Sequence, residues 1–152
     1  MTEIKLGIAG LGTVAQGVLE LIRRNNAIMR QRSGVSLRVV RVASRRAKPE
    51  IDLHGAHFST NIEDLLTDPN VDMILELIGG DTTALDLIRR GLAANKPVVT
   101  ANKAILAVHG NELMAGRGRQ LLRFEAAVAG AIPIIQGLSS GLAANRLRGL
   151  FG

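Results

Sequence analysis

The chain has 152 residues and a formal net charge of +6, with three phenylalanines and no tryptophan, tyrosine or cysteine. A chain of this length forms one ordinary domain that buries about 70% of its unfolded surface, so it needs no disulfide or metal to fold. The absence of cysteine excludes a disulfide framework, a cysteine-ligated zinc site and a cysteine nucleophile in this segment.

Composition also narrows the class of partner. The positive charges are scattered, and three aromatic rings offer almost nothing on which nucleobases could stack. The start "MTEIKLGIAG" lacks the features of a signal peptide, and no apolar run reaches the roughly 20 residues that span a bilayer. We therefore predict a soluble cytoplasmic protein that binds neither nucleic acid nor membrane.

Short apolar runs alternate with helical patterns along the whole chain. Near-continuous apolar or Val-rich runs predict strands over 4–10, 36–44, 71–80 and 97–100, and a further strand and turn over 121–130. Helical spacing predicts helices after Gly12, after a capping box of Thr60 and Glu63, and over 81–96. Two further helices are predicted, each with a break as an alternative: over 102–116 with a break near Gly110, and over 133–147 with a break at Gly137 or Gly141. Strands that alternate with helices predict an α/β fold of the doubly wound, Rossmann-like kind, with a mostly parallel sheet covered on both faces.

A glycine-rich turn follows the first predicted strand. Gly10, Gly12 and Ala15 fit the pattern G-x-G-x-x-A, a variant of the dinucleotide-binding fingerprint. We expect Gly10 to permit the tight turn, Gly12 to let the main chain approach a diphosphate, and Ala15 to allow close helix packing. The amides of Thr13 and Val14 would then face the phosphates at the start of a helix. The alternative is a turn that serves packing alone, but its position between a strand and a helix favours nucleotide binding.

The end of the second strand predicts which nicotinamide dinucleotide is preferred. NAD-binding domains place an acidic residue there for the ribose hydroxyls, whereas this chain has Ala43, Ser44, Arg45 and Arg46. Because a guanidinium fork matches phosphate oxygens, Arg45 favours the 2′-phosphate of NADP(H) over NAD(H). We interpret Arg46 and Lys48 as solvent-exposed loop residues rather than as phosphate ligands.

Lys103 lies in the stretch "VVTANKAIL", between apolar residues and directly after a predicted strand. Ligands of an open parallel sheet bind beyond the carboxyl ends of its strands, where we expect Gly10, Gly79, Gly80, Thr100 and Lys103 to meet. A cation there could polarise a carbonyl or bind a carboxylate. A surface lysine is less attractive, since a positive charge is disfavoured in a first helical turn. Glu76, inside an apolar strand, is either a satisfied buried group or a neighbour of the cofactor.

Four stretches together resemble the nucleotide-binding domain of homoserine dehydrogenases: "GIAGLGTVAQGVLELI", "VVTANKAILAVHG", "LRFEAAVAGAIPII" and "GLAANRL". The resemblance covers essentially residues 1–152 as one dinucleotide-binding domain. It implies reversible reduction of aspartate 4-semialdehyde to homoserine with NAD(P)H, on the route to threonine and methionine. It also implies a catalytic position for Lys103 near the nicotinamide, and cofactor contacts from Gly10, Gly12, Thr13, Val14, Arg45, Gly79, Thr100 and Lys103.

The resemblance further implies a monovalent cation, usually sodium, held by Glu125, Val128, Gly130 and Ile132, the last three mostly through main-chain oxygens. Oxygen ligands suit such an ion chemically. Without the resemblance, "FEAAVAG" would indicate only a strand and turn, with Glu125 as a buried or paired carboxylate.

The resemblance also places a substrate-binding and dimerisation domain downstream, with a second lysine as proton donor and a homodimer for the full-length protein. Leu150 and Phe151 look like the start of a further apolar element, so we expect the chain to be cut from a longer one and to be inactive alone. Two alternatives stay open. One is a regulatory nucleotide-binding module without catalysis; the other is another NADP-dependent reductase, acting for example on sugars or dihydrodipicolinate.

Overall fold

A six-stranded parallel sheet forms the centre of the molecule. The computed structural model describes residues 2–130 and 132–149, so the predicted apolar element at Leu150 and Phe151 lies outside the described residues. The strands run in the order β3-β2-β1-β4-β5-β6, and each neighbouring pair is parallel. In chain order they are β1 (Thr2–Ala9), β2 (Val35–Ala43), β3 (His57–Ser59), β4 (Met73–Glu76), β5 (Val98–Thr100) and β6 (Leu122–Arg123).

Helices connect these strands and cover the sheet. They are α1 (Thr13–Ser33), α2 (Glu63–Thr67), α3 (Thr82–Ala93), α4 (Lys103–Leu113), α5 (Gly118–Leu121) and α6 (Ile134–Gln136), with a 3-10 turn over Glu125–Ala127 and a π-helical turn over Gly137–Gly141. The predicted doubly wound, Rossmann-like α/β fold is confirmed. Within the part of the chain that the structure describes, no helix is both long and apolar enough to cross a membrane.

Two apolar cores lie on opposite faces of the sheet because successive strand residues point to opposite sides. Leu6 and Ile8 of β1 pack with Ala15, Leu19 and Ile22 of α1 in one core. The other core lies under α2, α3 and α4, and it contains Ala9 with Leu65, Ile74, Ile88, Ile105 and Leu113, among others. Burial of both faces explains why these strands are short continuous apolar runs rather than alternating ones.

Some local predictions are wrong, and each has a local cause. No capping box forms at α2, because the amide of Glu63 donates to the Asn61 side chain at 3.1 Å rather than to Thr60. β3 was not predicted, since its three residues show no apolar pattern of their own. The strand and turn predicted over 121–130 are present, but the strand has only two paired residues, and the turn is the 3-10 turn over Glu125–Ala127.

The predicted helices are present, but their lengths differ from expectation. α4 is one uninterrupted helix through Gly110, so the single-helix alternative is correct. The helix predicted over 133–147 changes at Gly137, one of the two predicted break points: it is α-helical at Ile134–Gln136 and continues as the π-helical turn, after which turns follow. Strand β4 ends at Glu76 rather than at residue 80, which leaves residues 77–81 as a loop at the edge of the sheet.

Candidate functional site

The carboxyl ends of the central strands meet at one edge of the sheet. In the strand register Ala9 of β1 pairs with Ala43 of β2 and with Glu76 of β4, and Glu76 pairs with Thr100 of β5. The strand order reverses between β1 and β4, which is the position where open α/β sheets form their ligand-binding crevice. The structure therefore brings the predicted Gly10 turn, the Gly79–Gly80 loop and Thr100 to the same edge.

Gly10 is required by both conformation and space. Its φ of +100° lies in the region that side chains rarely adopt. A Cβ at Gly10 would also lie 2.7 Å from the carbonyl oxygen of Leu77, in the loop after β4. The amide of Gly10 donates to the carbonyl of Ala43 at 2.8 Å, and the amide of Leu77 donates to the carbonyl of Ala9 at 2.9 Å. Gly10 thus holds the first turn tightly between the neighbouring strands.

The start of α1 is open to a ligand. Gly12 is the N-cap residue, and no side chain of the described residues caps the first amides of the helix. The first helical hydrogen bond runs from the amide of Gln16 to the carbonyl of Gly12 at 3.1 Å, so the preceding amides lack helical acceptors. A Cβ at Gly12 would meet nothing within 4 Å, and Thr13 and Val14 are exposed. With no acidic residue in this first turn, the amides and the helix dipole favour an anion such as a diphosphate.

Arg45 lies two residues beyond β2, exposed at the same edge of the sheet. Six other arginines form ion pairs with carboxylates, namely Arg23, Arg24, Arg38, Arg41, Arg89 and Arg90. Arg45 is not in that group. Within the part of the chain that the structure describes, its guanidinium has no carboxylate partner.

Glu76 and Thr100 form a buried polar pair between the ends of β4 and β5. Both residues are fully buried. The Thr100 hydroxyl donates to one carboxylate oxygen of Glu76, and the amide of Ile78 donates to the other at 2.8 Å. Burial raises the pKa of the Glu76 carboxyl, although these two hydrogen bonds act in the opposite direction. Glu76 is thus a satisfied buried group, and the Thr100 hydroxyl is directed at Glu76 rather than into the crevice.

Asn102, which the sequence did not single out, joins the two loops at this edge. Its side-chain oxygen accepts from the amide of Ile105 at 3.2 Å and so caps α4. Its side-chain nitrogen donates to the carbonyl of Gly80 at 2.6 Å. Lys103 follows as the first residue of α4 and is exposed. The preference for asparagine at N-cap positions could have indicated the cap, but no sequence pattern indicates the bond to Gly80.

The residues predicted to hold a cation lie together in the segment after β6, and the oxygens of two of them, Glu125 and Ile132, already accept hydrogen bonds. The two carboxylate oxygens of Glu125 accept from the amides of Ile135 at 2.8 Å and Gln136 at 3.1 Å. The carbonyl of Ile132 accepts from the amide of Ile134 at 2.8 Å. Gly130 has a φ of +61°, and Val128 follows the 3-10 turn in an extended conformation. Through its two hydrogen bonds, Glu125 stabilises the start of α6. A carboxylate has about four acceptor positions, so Glu125 can accept these bonds and still bind a cation. Oxygen atoms are the kind of ligand that a hard cation prefers.

Comparison with known proteins identifies the family. Residues 10–121 match the family model described as homoserine dehydrogenase, NAD binding domain. The chain belongs to this family. Membership indicates a nicotinamide cofactor, and the matched segment contains the glycine turn, Arg45, the two loops and Lys103.

Relatives and solved structures agree with that assignment. The chain is 42% identical over its whole length to homoserine dehydrogenase of Pseudomonas aeruginosa and 36% identical to that of Bacillus subtilis, covering 36% of each relative. The crystal structure of a homoserine dehydrogenase from Thiobacillus denitrificans superposes with a TM-score of 0.85 at 44% identity, over 95% of this chain and 34% of that one. The chain therefore spans about a third of the length of the relatives that it matches.

Proposed function

We propose that this chain is the NADP(H)-binding domain through which a homoserine dehydrogenase interconverts aspartate 4-semialdehyde and homoserine. The observation that carries the proposal is the uncapped start of α1 at the strand-order reversal, in a chain of this family. The substrate pair is the one that the family name implies, and a substrate-binding and dimerising domain would follow residues 1–152. A role in threonine and methionine biosynthesis, a cytoplasmic location and a homodimer of the full-length protein belong to the same proposal.

The cofactor would lie across the two halves of the sheet. Main-chain amides at Gly12, Thr13 and Val14 would bind the diphosphate, with Gly10 shaping the turn. Arg45 would pair with the 2′-phosphate, because it is exposed beside the end of β2 and outside the ion pairs described above. Gly79 and Lys103 would border the nicotinamide half. Thr100 would support the cofactor site indirectly, because its hydroxyl holds the Glu76 carboxylate rather than contacting the cofactor.

The bound nicotinamide would supply or accept the hydride. Lys103, exposed at the start of α4, would act as the catalytic cation of this domain by polarising the substrate carbonyl or pairing with the substrate carboxylate. The proton for the developing alkoxide would come from a lysine of the downstream domain, as the resemblance implies. The chain by itself would then bind the cofactor and leave homoserine unoxidised.

We further propose that Glu125, Val128, Gly130 and Ile132 provide the oxygen ligands of a monovalent cation, usually sodium. The support is chemical, since every proposed ligand atom is an oxygen. The ion would share the Glu125 carboxylate with the amides of Ile135 and Gln136. Sodium should therefore stabilise the chain against urea more than the larger tetramethylammonium ion does at equal ionic strength, and Glu125→Gln should remove that difference.

Titration with NADPH and with NADH, followed by nicotinamide fluorescence, tests the cofactor assignment. We expect saturable binding with a lower dissociation constant for NADPH. Homoserine oxidation should be negligible for residues 1–152 and should appear when the downstream domain is present on the same chain. Absence of binding by both dinucleotides would contradict the cofactor assignment. Rapid homoserine oxidation by the 152-residue chain would contradict the proposal that catalysis needs the downstream domain.

A further inference from the structure

The loop after β4 and the start of α4 are joined by one continuous set of hydrogen bonds. Glu76 accepts from the amide of Ile78 and from the Thr100 hydroxyl. Thr100 in turn accepts from the amide of Asn102 at 3.1 Å, and the Asn102 side chain donates to the carbonyl of Gly80. We call this closed set, formed by Glu76, Thr100, Asn102 and Gly80, the loop clamp.

The loop clamp holds a segment that has little else to fix its conformation. Gly79 and Gly80 are consecutive and exposed, and a Cβ on either would meet nothing within 4 Å. Gly80 has a φ of +88°. Paired glycines have wide conformational freedom, so a specific tether is needed to keep one conformation. The short bond from Asn102 to Gly80, at 2.6 Å, links this glycine loop directly to the helix that begins with Lys103.

We propose that Asn102 is a positioning residue that fixes the Gly79–Gly80 loop against Lys103 and so shapes the nicotinamide half of the site. This inference rests on the cofactor placement proposed above. Asn102 acts through its neighbours: its oxygen orients the first turn of α4, and its nitrogen sets the distance between that turn and the glycine loop. Of the side chains able to cap a helix, only asparagine combines a strong acceptor for the cap with an amide donor of this reach.

Asn102→Ser and Asn102→Asp separate the two roles of the side chain. Serine and aspartate are both good N-cap residues. Serine is too short to reach Gly80, and an ionised aspartate has no proton to donate to a carbonyl. If capping alone mattered, both variants would behave as the wild type; if the bond to Gly80 matters, both should be impaired.

Asn26 offers a matched control at a distance from the crevice. Its side chain is half-buried like that of Asn102, and it also makes one donated and one accepted bond, both with Leu37 of β2, at 2.9 and 3.0 Å. Asn26→Ser should lower the free energy of unfolding without changing cofactor affinity. It therefore shows what general destabilisation does to binding.

Binding of whole and half cofactor decides the question. Relative to the wild-type chain, Asn102→Ser and Asn102→Asp should raise the dissociation constant for NADPH about fivefold or more, the range expected for losing one ordered polar contact. Adenosine 2′,5′-bisphosphate carries only the adenine half of the cofactor. For this ligand, both variants should have a dissociation constant within about twofold of the wild-type value. Asn26→Ser should change neither. Equal weakening of both ligands, or unchanged NADPH affinity in both Asn102 variants, would overturn the inference.

Amide hydrogen exchange provides a test that needs no cofactor. Asn102→Ser should accelerate exchange at Ile78, whose amide donates to Glu76 within the clamp, whereas Asn26→Ser should leave that amide unchanged. Unaltered exchange in this loop would overturn the loop clamp even if NADPH binds. A wild-type chain that shows the clamp but binds no dinucleotide would instead refute the proposed function.

Discussion

The two halves of the crevice are built from different parts of the chain. At the junction of β1 and α1 the groups that face the crevice are main-chain amides, and the turn depends on a glycine that fits against Leu77. At the ends of β4 and β5 the geometry depends on side chains, with a buried carboxylate beneath and Asn102 above. The junction of β1 and α1 should be disrupted by substitutions that add a side chain. The ends of β4 and β5 should be disrupted by substitutions that remove a side-chain group. The two halves should therefore fail in different ways.

The largest effect is expected at Gly10. Gly10→Ala forces a side chain into a left-handed conformation and against the Leu77 carbonyl, so it should lower the free energy of unfolding by about 2–4 kcal/mol and abolish NADPH binding. Gly34→Ala is the matched control, since Gly34 has a φ of +72° but open space around a Cβ. It should cost only about 1–2 kcal/mol and leave binding intact. Urea unfolding and fluorescence titration check both variants. Equal loss of stability in the two would contradict the packing argument.

Arg45 should show the next largest effect, confined to one cofactor. Arg45→Ala removes the proposed partner of the 2′-phosphate, so the dissociation constant for NADPH should rise about tenfold or more. That for NADH, which lacks this phosphate, should change less than about twofold. Arg46→Ala in the same exposed loop is the control and should affect neither. Equal weakening of NADPH and NADH by Arg45→Ala would refute the preference for NADP(H).

A smaller effect should distinguish the side-chain half by its pH dependence. Burial raises the pKa of Glu76 above its ordinary 4.5. The protonated carboxyl therefore contributes fully to the free energy of unfolding below that pH, and the contribution is lost as pH rises through the folded pKa. Glu76→Gln stays neutral and can still accept from the amide of Ile78. The free energy of unfolding of the wild type, minus that of the variant, should therefore fall as pH rises from about 4 to about 8. Urea unfolding of both proteins at each pH measures the difference, and a rising or constant difference would contradict it.

The smallest effect is expected at Lys103. A positive charge in the first turn of α4 opposes the helix dipole, so Lys103→Gln should stabilise the chain by about 0.3–1 kcal/mol at low salt while weakening NADPH binding. Lys48→Gln, in the exposed loop after β2 and outside any helix, should change stability by less than about 0.5 kcal/mol. A loss of stability in Lys103→Gln would indicate that this lysine serves the fold rather than a ligand.

The contrast between the halves also explains what the sequence could predict. The main-chain half depends on glycines at fixed spacing after a buried strand, so Gly10, Gly12 and the start of α1 were predictable from local pattern. The side-chain half depends on contacts between residues 22 and 24 positions apart, from Asn102 to Gly80 and from Thr100 to Glu76. Local periodicity carries no information about such contacts. Thr100 was accordingly expected to contact the cofactor, although its hydroxyl is directed into the core.

The same reasoning accounts for the errors in secondary structure. The predicted capping box was wrong because Asn61 takes the amide of Glu63, a competition among neighbouring polar side chains that a motif does not resolve. β3 forms because Arg41, Val42 and Ala43 of β2 offer it an unpaired edge, not because His57–Ser59 favours a strand. Apolar runs and helical spacing were sufficient to predict a parallel sheet covered by helices, because burial on both faces of the sheet produces these sequence patterns.

Amide chemical shifts during NADPH titration test the central claim most directly. If the diphosphate binds at the junction of β1 and α1, the largest shifts should occur at the amides of Gly12, Thr13 and Val14, with the same dissociation constant as nicotinamide fluorescence reports. Gly10→Ala should remove those shifts. Saturable NADPH binding that leaves these three amides unmoved would contradict the account.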